Sequence, residues 1–236
     1  MSALAISPAR RAAGFYAAPI GKKAVMAITG LILFLYVAGH LLGNLQIYAS
    51  DHEQINRYAA FLHNPANVIP LWAIRAFLLA AVILHITAAI QLWIQNRAAR
   101  PYRYARKSDV PTAYAARTMR WSGVIVGAFI IFHILHLTVG AVPGLPVDEL
   151  GANMPNVRAN VVHGFSNVWV SGFYIVAMIL LCMHLYHGLH SFVQSLGFFH
   201  ERYTPFIKKA AAVVAILIAI GNISIPLAVL AGFVTL

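Results

Sequence analysis

The sequence predicts an all-α integral membrane protein of five transmembrane helices with its N-terminus in the cytoplasm. Of its 236 residues, 61% are hydrophobic and only 10% charged, against roughly a quarter charged in a soluble domain. Five apolar stretches, about 24–48, 70–95, 121–142, 167–196 and 209–235, each reach the roughly 20 helical residues that a hydrocarbon core of about 30 Å requires. The basic residues, finally, gather on alternate connections between these stretches.

The first stretch, AVMAITGLILFLYVAGHLLG, carries no charge until Asp51. Arg10, Arg11, Lys22 and Lys23 precede it as the n-region of a signal peptide would. The apolar run is too long for an h-region, however, and no small-x-small cleavage site follows, so it is expected to be retained. Pro70 suits the start of the second span. Pro143, Pro146 and Pro155 mark a loop between the third and fourth. Pro226 lies inside the fifth, which is therefore expected to be kinked and peripheral. Tyr48, Trp72, Trp93, Trp121 and Trp169 fall near span ends, where interfacial aromatics belong. With no linker and no low-complexity tract, residues 1–236 form a single membrane domain.

Fourteen of the 17 Lys and Arg residues lie on one side: four before the first span, seven between residues 96 and 120, and Arg202, Lys208 and Lys209. Only Arg57 and Arg158 fall in loops on the other side, with Arg75 near the start of the second span. This bias sets the N-terminus inside and the C-terminus outside. It also removes nucleic acid as the partner of a chain whose formal charge is +11, because the charge is divided among three membrane edges rather than forming one stripe. The single cysteine, Cys182, excludes an internal disulfide and a cysteine-held iron–sulfur cluster.

Histidines are the anomaly. Six of eleven fall inside the apolar spans: His40, His85, His133, His136, His184 and His187, with His190 one turn further. Ionisable side chains at membrane depth are costly and point to function. At about 1.5 Å per residue, His40 lies roughly 24 Å from the cytoplasmic end of its span, and His133 and His136 roughly 18 and 23 Å. His85 and His184 lie about 22–24 Å along spans that run inward. The histidines thus sort into an outer layer from spans one and three and an inner layer from spans two and four. Two such pairs suit two stacked haems b held between imidazoles, with the first four helices bundled around them. Gly39, Gly43, Ala88, Ala89 and Gly188 are the small neighbours expected to leave room. Zinc is a poor fit without carboxylate or thiolate partners at that depth. Spacing alone leaves open whether His133 or His136, and His184 or His187, would be the ligand.

At these residues the chain resembles the five-helix, di-haem cytochrome b membrane-anchor subunits of succinate dehydrogenases and fumarate reductases. The likeness rests on GHLLGNLQIY (Gly39 to Tyr48), INRYAAFLH (Ile55 to His63), RWSGVIVGAFIIFH (Arg120 to His133), HGFSNVW (His163 to Trp169) and MHLYHGLHSFVQSLG (Met183 to Gly197). It runs through all five spans. It implies axial ligands at His40, His85, His133 and His184, with His40/His133 on the distal haem and His85/His184 on the proximal one. His136, His187, His190 and Arg120 become residues of the surrounding shell or the propionate side.

The resemblance further implies a non-flavin subunit of a quinone-linked succinate dehydrogenase or fumarate reductase, in a bacterial or archaeal cytoplasmic membrane. Its partners would be a flavoprotein and an iron–sulfur subunit on the cytoplasmic face, and its substrate a quinone, commonly menaquinone. Quinol oxidation with fumarate reduction would use the same parts. Asp51, His52 and Glu53 are polar candidates for the quinone site, and a site beside the inner haem is equally open. Two alternatives differ in what they predict. A cytochrome b of formate dehydrogenase, hydrogenase or nitrate reductase would bring a molybdenum or nickel–iron partner, and a haem-free transporter would be colourless.

Overall fold

The structure, a computed structural model, describes residues 14–99, 114–145, 148–149, 155–198 and 200–236, with only the backbone of 114–118 and 120. Seven α-helices of ten residues or more form the body of the described chain: α1 (Pro19–Asn44), α2 (Gln54–His63), α3 (Val68–Ala98), α4 (Tyr114–Ile134), α5 (Val157–Ser166), α6 (Val168–Ser195) and α7 (Thr204–Leu230). A π-helical turn, Leu135–Val139, continues α4. Among the described residues the only β pairing is one isolated bridge, Glu149 to Pro155.

Five segments are long and apolar enough to cross a membrane: Pro19–Tyr48, Pro65–Ala98, Trp121–Val139, Val168–Ser195 and Thr204–Leu230. They are the five expected spans, with ends shifted for local reasons. The first starts at Pro19 rather than near 24 because Lys22 folds back. Its ammonium donates to the carbonyls of Tyr16 and Ala17 at 3.0 and 2.8 Å, so a buried lysine sits within the helix's first turn. The fourth is opened by Asn167, whose side chain accepts from the backbone N–H groups of Trp169 and Val170. It ends at Gly197, left-handed at φ 87°, where the N–H groups of Gly197 and Phe198 close on the carbonyls of Gln194 and Val193. The same motif ends the fifth span at Leu230 instead of 235: Gly232 has φ 75°, and Gly232 and Phe233 donate to Val229 and Ala228.

Helix α1 packs mainly on α3, and α4 on α6; the two pairs meet along α1 and α6, and α7 lies along α6. Helices α1 and α4, and likewise α3 and α6, make little or no direct contact. Helix α7 continues through Pro226, which is fully buried, so the proline is packed inside the fold. Trp72, Trp93, Trp121, Trp169 and Tyr48 all present exposed rings, as interfacial residues should.

Two short helices between spans, α2 and α5, were not expected. They meet at one end of the molecule, joined by a polar cluster. The Asn56 side chain accepts from the Arg158 backbone N–H at 3.1 Å and donates to Asn156 Oδ1 at 3.2 Å. Arg158, counted from sequence as a loop charge, is 5% exposed. Its guanidinium donates to the carbonyls of Thr235 (2.8 Å) and Ile47 (3.3 Å). It clasps the C-terminal turn to the end of the first span.

Candidate functional site

Four histidines from four helices form two facing pairs. The His40 and His133 rings lie 5.8 Å apart, centroid to centroid, at 84° to each other. Those of His85 and His184 lie 6.3 Å apart at 63°. Each pair bridges two helices that make little or no direct contact, α1 with α4 or α3 with α6.

Glycines locate the layers. A Cβ on Gly30 would lie 3.1 Å from His85 Cε1, and one on Gly123 would lie 3.6 Å from His184 Cε1. Gly30 is ten residues before His40 in the first span, and Gly123 ten before His133 in the third. At about 1.5 Å per residue the two layers are therefore about 15 Å apart along both helices. Gly30 and Gly123 were not among the small neighbours expected to leave room. Gly39 and Gly188 face open space, and Gly43 lies against Tyr58.

In the first layer, Nδ1 of His85 lies 3.1 Å from the Met26 carbonyl and 3.2 Å from Thr29 Oγ1. As a donor to that carbonyl, Nδ1 holds the ring proton, which leaves Nε2 with a free lone pair. Nδ1 of His184 is buried without a hydrogen-bond partner. In the second layer, His40 stacks on Tyr36 at 5.4 Å. His133 Nδ1 lies 3.3 Å from the hydroxyl of Tyr174.

The neighbouring histidines are turned to other tasks. His136 is 2% exposed and sits in the π-helical turn. Its Nδ1 meets the Tyr174 hydroxyl at 2.9 Å, and its Nε2 packs where a Cβ on Gly164 would lie only 2.7 Å away. Only His133 of this pair faces His40. His187 Nε2 meets Ser191 Oγ at 3.1 Å, while its own Nδ1 is buried and unpartnered. His190 Nδ1 meets the Tyr186 carbonyl, and the His187 and His190 rings touch at 5.1 Å. The side chain of Arg120 lies outside the described residues.

Asp51, His52 and Glu53 form an exposed turn ahead of α2. Asp51 pairs with Arg57 and accepts from the Glu53 N–H at 3.0 Å, while Glu53 accepts from the Asn56 side chain at 3.0 Å. Arg57 holds the Asp51 carboxyl below its usual range, chiefly through that hydrogen bond. The cavities are elsewhere. One of about 370 Å³ is lined by Tyr16, Lys22, Gln91, Ile94 and Gln95, and the side-chain oxygens of both glutamines are buried without a partner. A second, about 230 Å³ and apolar, lies between α6 and α7 beside Cys182.

Sequence reasoning missed Tyr174, Thr29, Gly30 and Gly123. A signal for the glycines was present: each outward-running span with a late histidine carries a glycine ten residues earlier. Tyr174 gave none, being an aromatic in an apolar helix.

Chemically, each pair brings two imidazole rings close together, at 5.8 and 6.3 Å between centroids. Among the described residues no group of three or more His, Cys, Asp or Glu side chains converges to hold a metal ion. A pair of this kind suits a metal that brings its other ligands with it. Metal–imidazole bonds of about 2 Å, with about 1 Å more from nitrogen to ring centre on each side, space two trans rings about 6 Å apart. Both observed spacings fit. Fold and site together define a multi-span helical chain with two pairs of half-buried imidazoles at two levels. Comparison with family models, with curated proteins and with solved structures returns no match.

Proposed function

We propose that this chain is the membrane-anchor cytochrome b subunit of a succinate:quinone oxidoreductase, carrying electrons between an iron–sulfur partner on the cytoplasmic face and a quinone, preferably menaquinone. The observation that supports it best is the pairing of four imidazoles from four helices, at 5.8 and 6.3 Å, in two levels about 15 Å apart. Haem b supplies one-electron chemistry at its iron when bound, and two haems b fit the two pairs. His85 and His184 would hold the inner one, His40 and His133 the outer one. This chain's own work is to orient these rings, keep each ligating nitrogen unprotonated and exclude water. The Met26 carbonyl serves the first two tasks at His85, and the aromatic shell of Phe129 serves the last at His133.

The quinone head group has a better seat than the Asp51 turn, whose carboxylates are engaged with their own neighbours. The cavity at Gln91 and Gln95 has two orphaned amide oxygens on the face of α3 beyond His85. A side-chain amide can accept from a quinol hydroxyl through oxygen, or donate to a quinone carbonyl through nitrogen after a rotation. It thus matches both redox forms.

The test is a reduced-minus-oxidised visible spectrum with haem counting by pyridine haemochrome, on the purified membrane complex with its co-purifying subunits identified. Two haems b per chain with a flavoprotein and an iron–sulfur protein support the proposal. One haem overturns the two-level assignment, and a colourless intact complex returns the histidines to a structural or transport role. A molybdenum or nickel–iron partner would reassign the complex.

A further inference from the structure

The hydroxyl of Tyr174 touches two imidazoles of the third span at once, His133 Nδ1 at 3.3 Å and His136 Nδ1 at 2.9 Å. A phenol carries one proton, so it donates to one ring and accepts from the other. If it donated to His133 Nδ1, the proton of that neutral ring would sit on Nε2, the one nitrogen left to bind a metal. The opposite polarity leaves Nε2 free: His133 Nδ1–H donates to the Tyr174 oxygen, and Tyr174 O–H donates to His136 Nδ1.

The surroundings hold this relay in place. Tyr174 is buried, with Phe129, Phe132 and Phe165 packed edge-on against its ring at 5.0, 6.0 and 4.8 Å. His136 cannot retreat, since the absent Cβ of Gly164 is the space its ring occupies. The π-helical turn at Leu135–Val139 is an element that recurs at functional sites. Water-excluded hydrogen bonds in series also polarise one another. The Tyr174 oxygen, donating onward to His136, is a stronger acceptor than an isolated phenol.

We propose that Tyr174, backed by His136, is the positioning residue of the outer pair: it fixes the tautomer of His133 and, by accepting its Nδ1–H, lowers the reduction potential of the iron that His133 ligates. This rests on the haem reading above. A hydrogen bond from Nδ1–H makes an imidazole a better electron donor to a metal, which favours the oxidised ion. The inner pair is built differently, with the Met26 carbonyl facing His85. Loss of the phenol therefore acts on one haem only.

Potentiometry of the intact complex tests this in Tyr174→Phe, which keeps the ring and removes the hydroxyl. Both haems are retained, and one potential rises while the other stays where it is. A tenfold change in the preference of the site for reduced iron reads as 59 mV. Should Tyr174→Phe fail to assemble, His136→Leu removes the onward acceptor alone, and its smaller rise in the same potential decides the matter. Two haems with unchanged potentials, or two that move together, would overturn the proposal. A wild-type complex without haem refutes the underlying reading instead, and the parent spectrum separates that case from the others.

Discussion

Replacing Arg158 with alanine should destabilise the molecule by about 3 kcal/mol and release its C-terminal turn. The guanidinium is buried and donates two hydrogen bonds to main-chain carbonyls, Thr235 at 2.8 Å and Ile47 at 3.3 Å. Hydrogen bonds from a charged group contribute about 1.5–3 kcal/mol each, so their loss gives about 3–6 kcal/mol. Burying a cation works against this total, but the guanidinium is weakly hydrated and loses less than an ammonium would. The lower end of the range is therefore expected. The Arg158 backbone N–H bond to Asn56 persists in the variant, so α5 itself should remain. Arg158→Lys retains the charge without the planar fork that reaches both carbonyls, and should fall between the two. The assay is thermal loss of the monodisperse peak in detergent, run beside carboxypeptidase digestion of the last six residues. If Arg158→Ala melts with the parent and its tail is cut no faster, the clasp contributes nothing.

Other substitutions separate the two levels. His40→Ala or His133→Ala should remove mainly one haem and His85→Ala or His184→Ala the other, as haem counting and split absorption bands will report; loss of a haem in His136→Ala with both retained in His133→Ala would reverse the assignment. Gln91→Leu with Gln95→Leu should raise the KM for quinone about tenfold or more, in line with loss of two polar contacts, while haem content stays at the parental value; an unchanged KM removes that cavity as the quinone seat. The Asp51–Arg57 pair bears on acid stability. A carboxyl with a lowered folded-state pKa adds stability above its unfolded value, and this is lost as pH falls through the lowered one. Arg57→Ala should therefore lower melting at pH 7 only slightly, the pair being exposed and screened, and this small difference from the parent should shrink away as pH falls below about 4. A large effect at neutral pH would show that the pair is not merely a surface contact.

The spans and the histidines were legible because each is a local signal. An uncharged run of over twenty residues has few other fates, and an imidazole inside one stands out without knowledge of its neighbours. Boundaries were less legible where a single side chain overrode the charge pattern. Lys22 reads as a residue outside the membrane, yet it is buried against the carbonyls of the turn before it. Arg158 reads as a stray loop charge because its partners, Ile47 and Thr235, lie on segments far away in the chain. Tyr174 stayed hidden for the same reason: it lies 41 residues from His133 and only packing brings them together. The helices α2 and α5 are short and mixed in polarity, so hydropathy could not mark them. Asn156, whose side chain accepts from the Ala159 N–H, was the one local cue to α5.

The ten-residue interval from Gly30 to His40, repeated from Gly123 to His133, has an electrical meaning for an electron carrier. A hydrocarbon core is about 30 Å thick, so levels about 15 Å apart divide it roughly in half. A charge crossing the whole potential changes energy by about 2.3 kcal/mol per 100 mV. An electron passing from one level to the other would then feel about half of that, close to 1 kcal/mol per 100 mV. With a haem bound at each level, the distribution of electrons between them would therefore follow membrane voltage. At the resting voltage of an energised cell it would differ several-fold from the distribution in detergent.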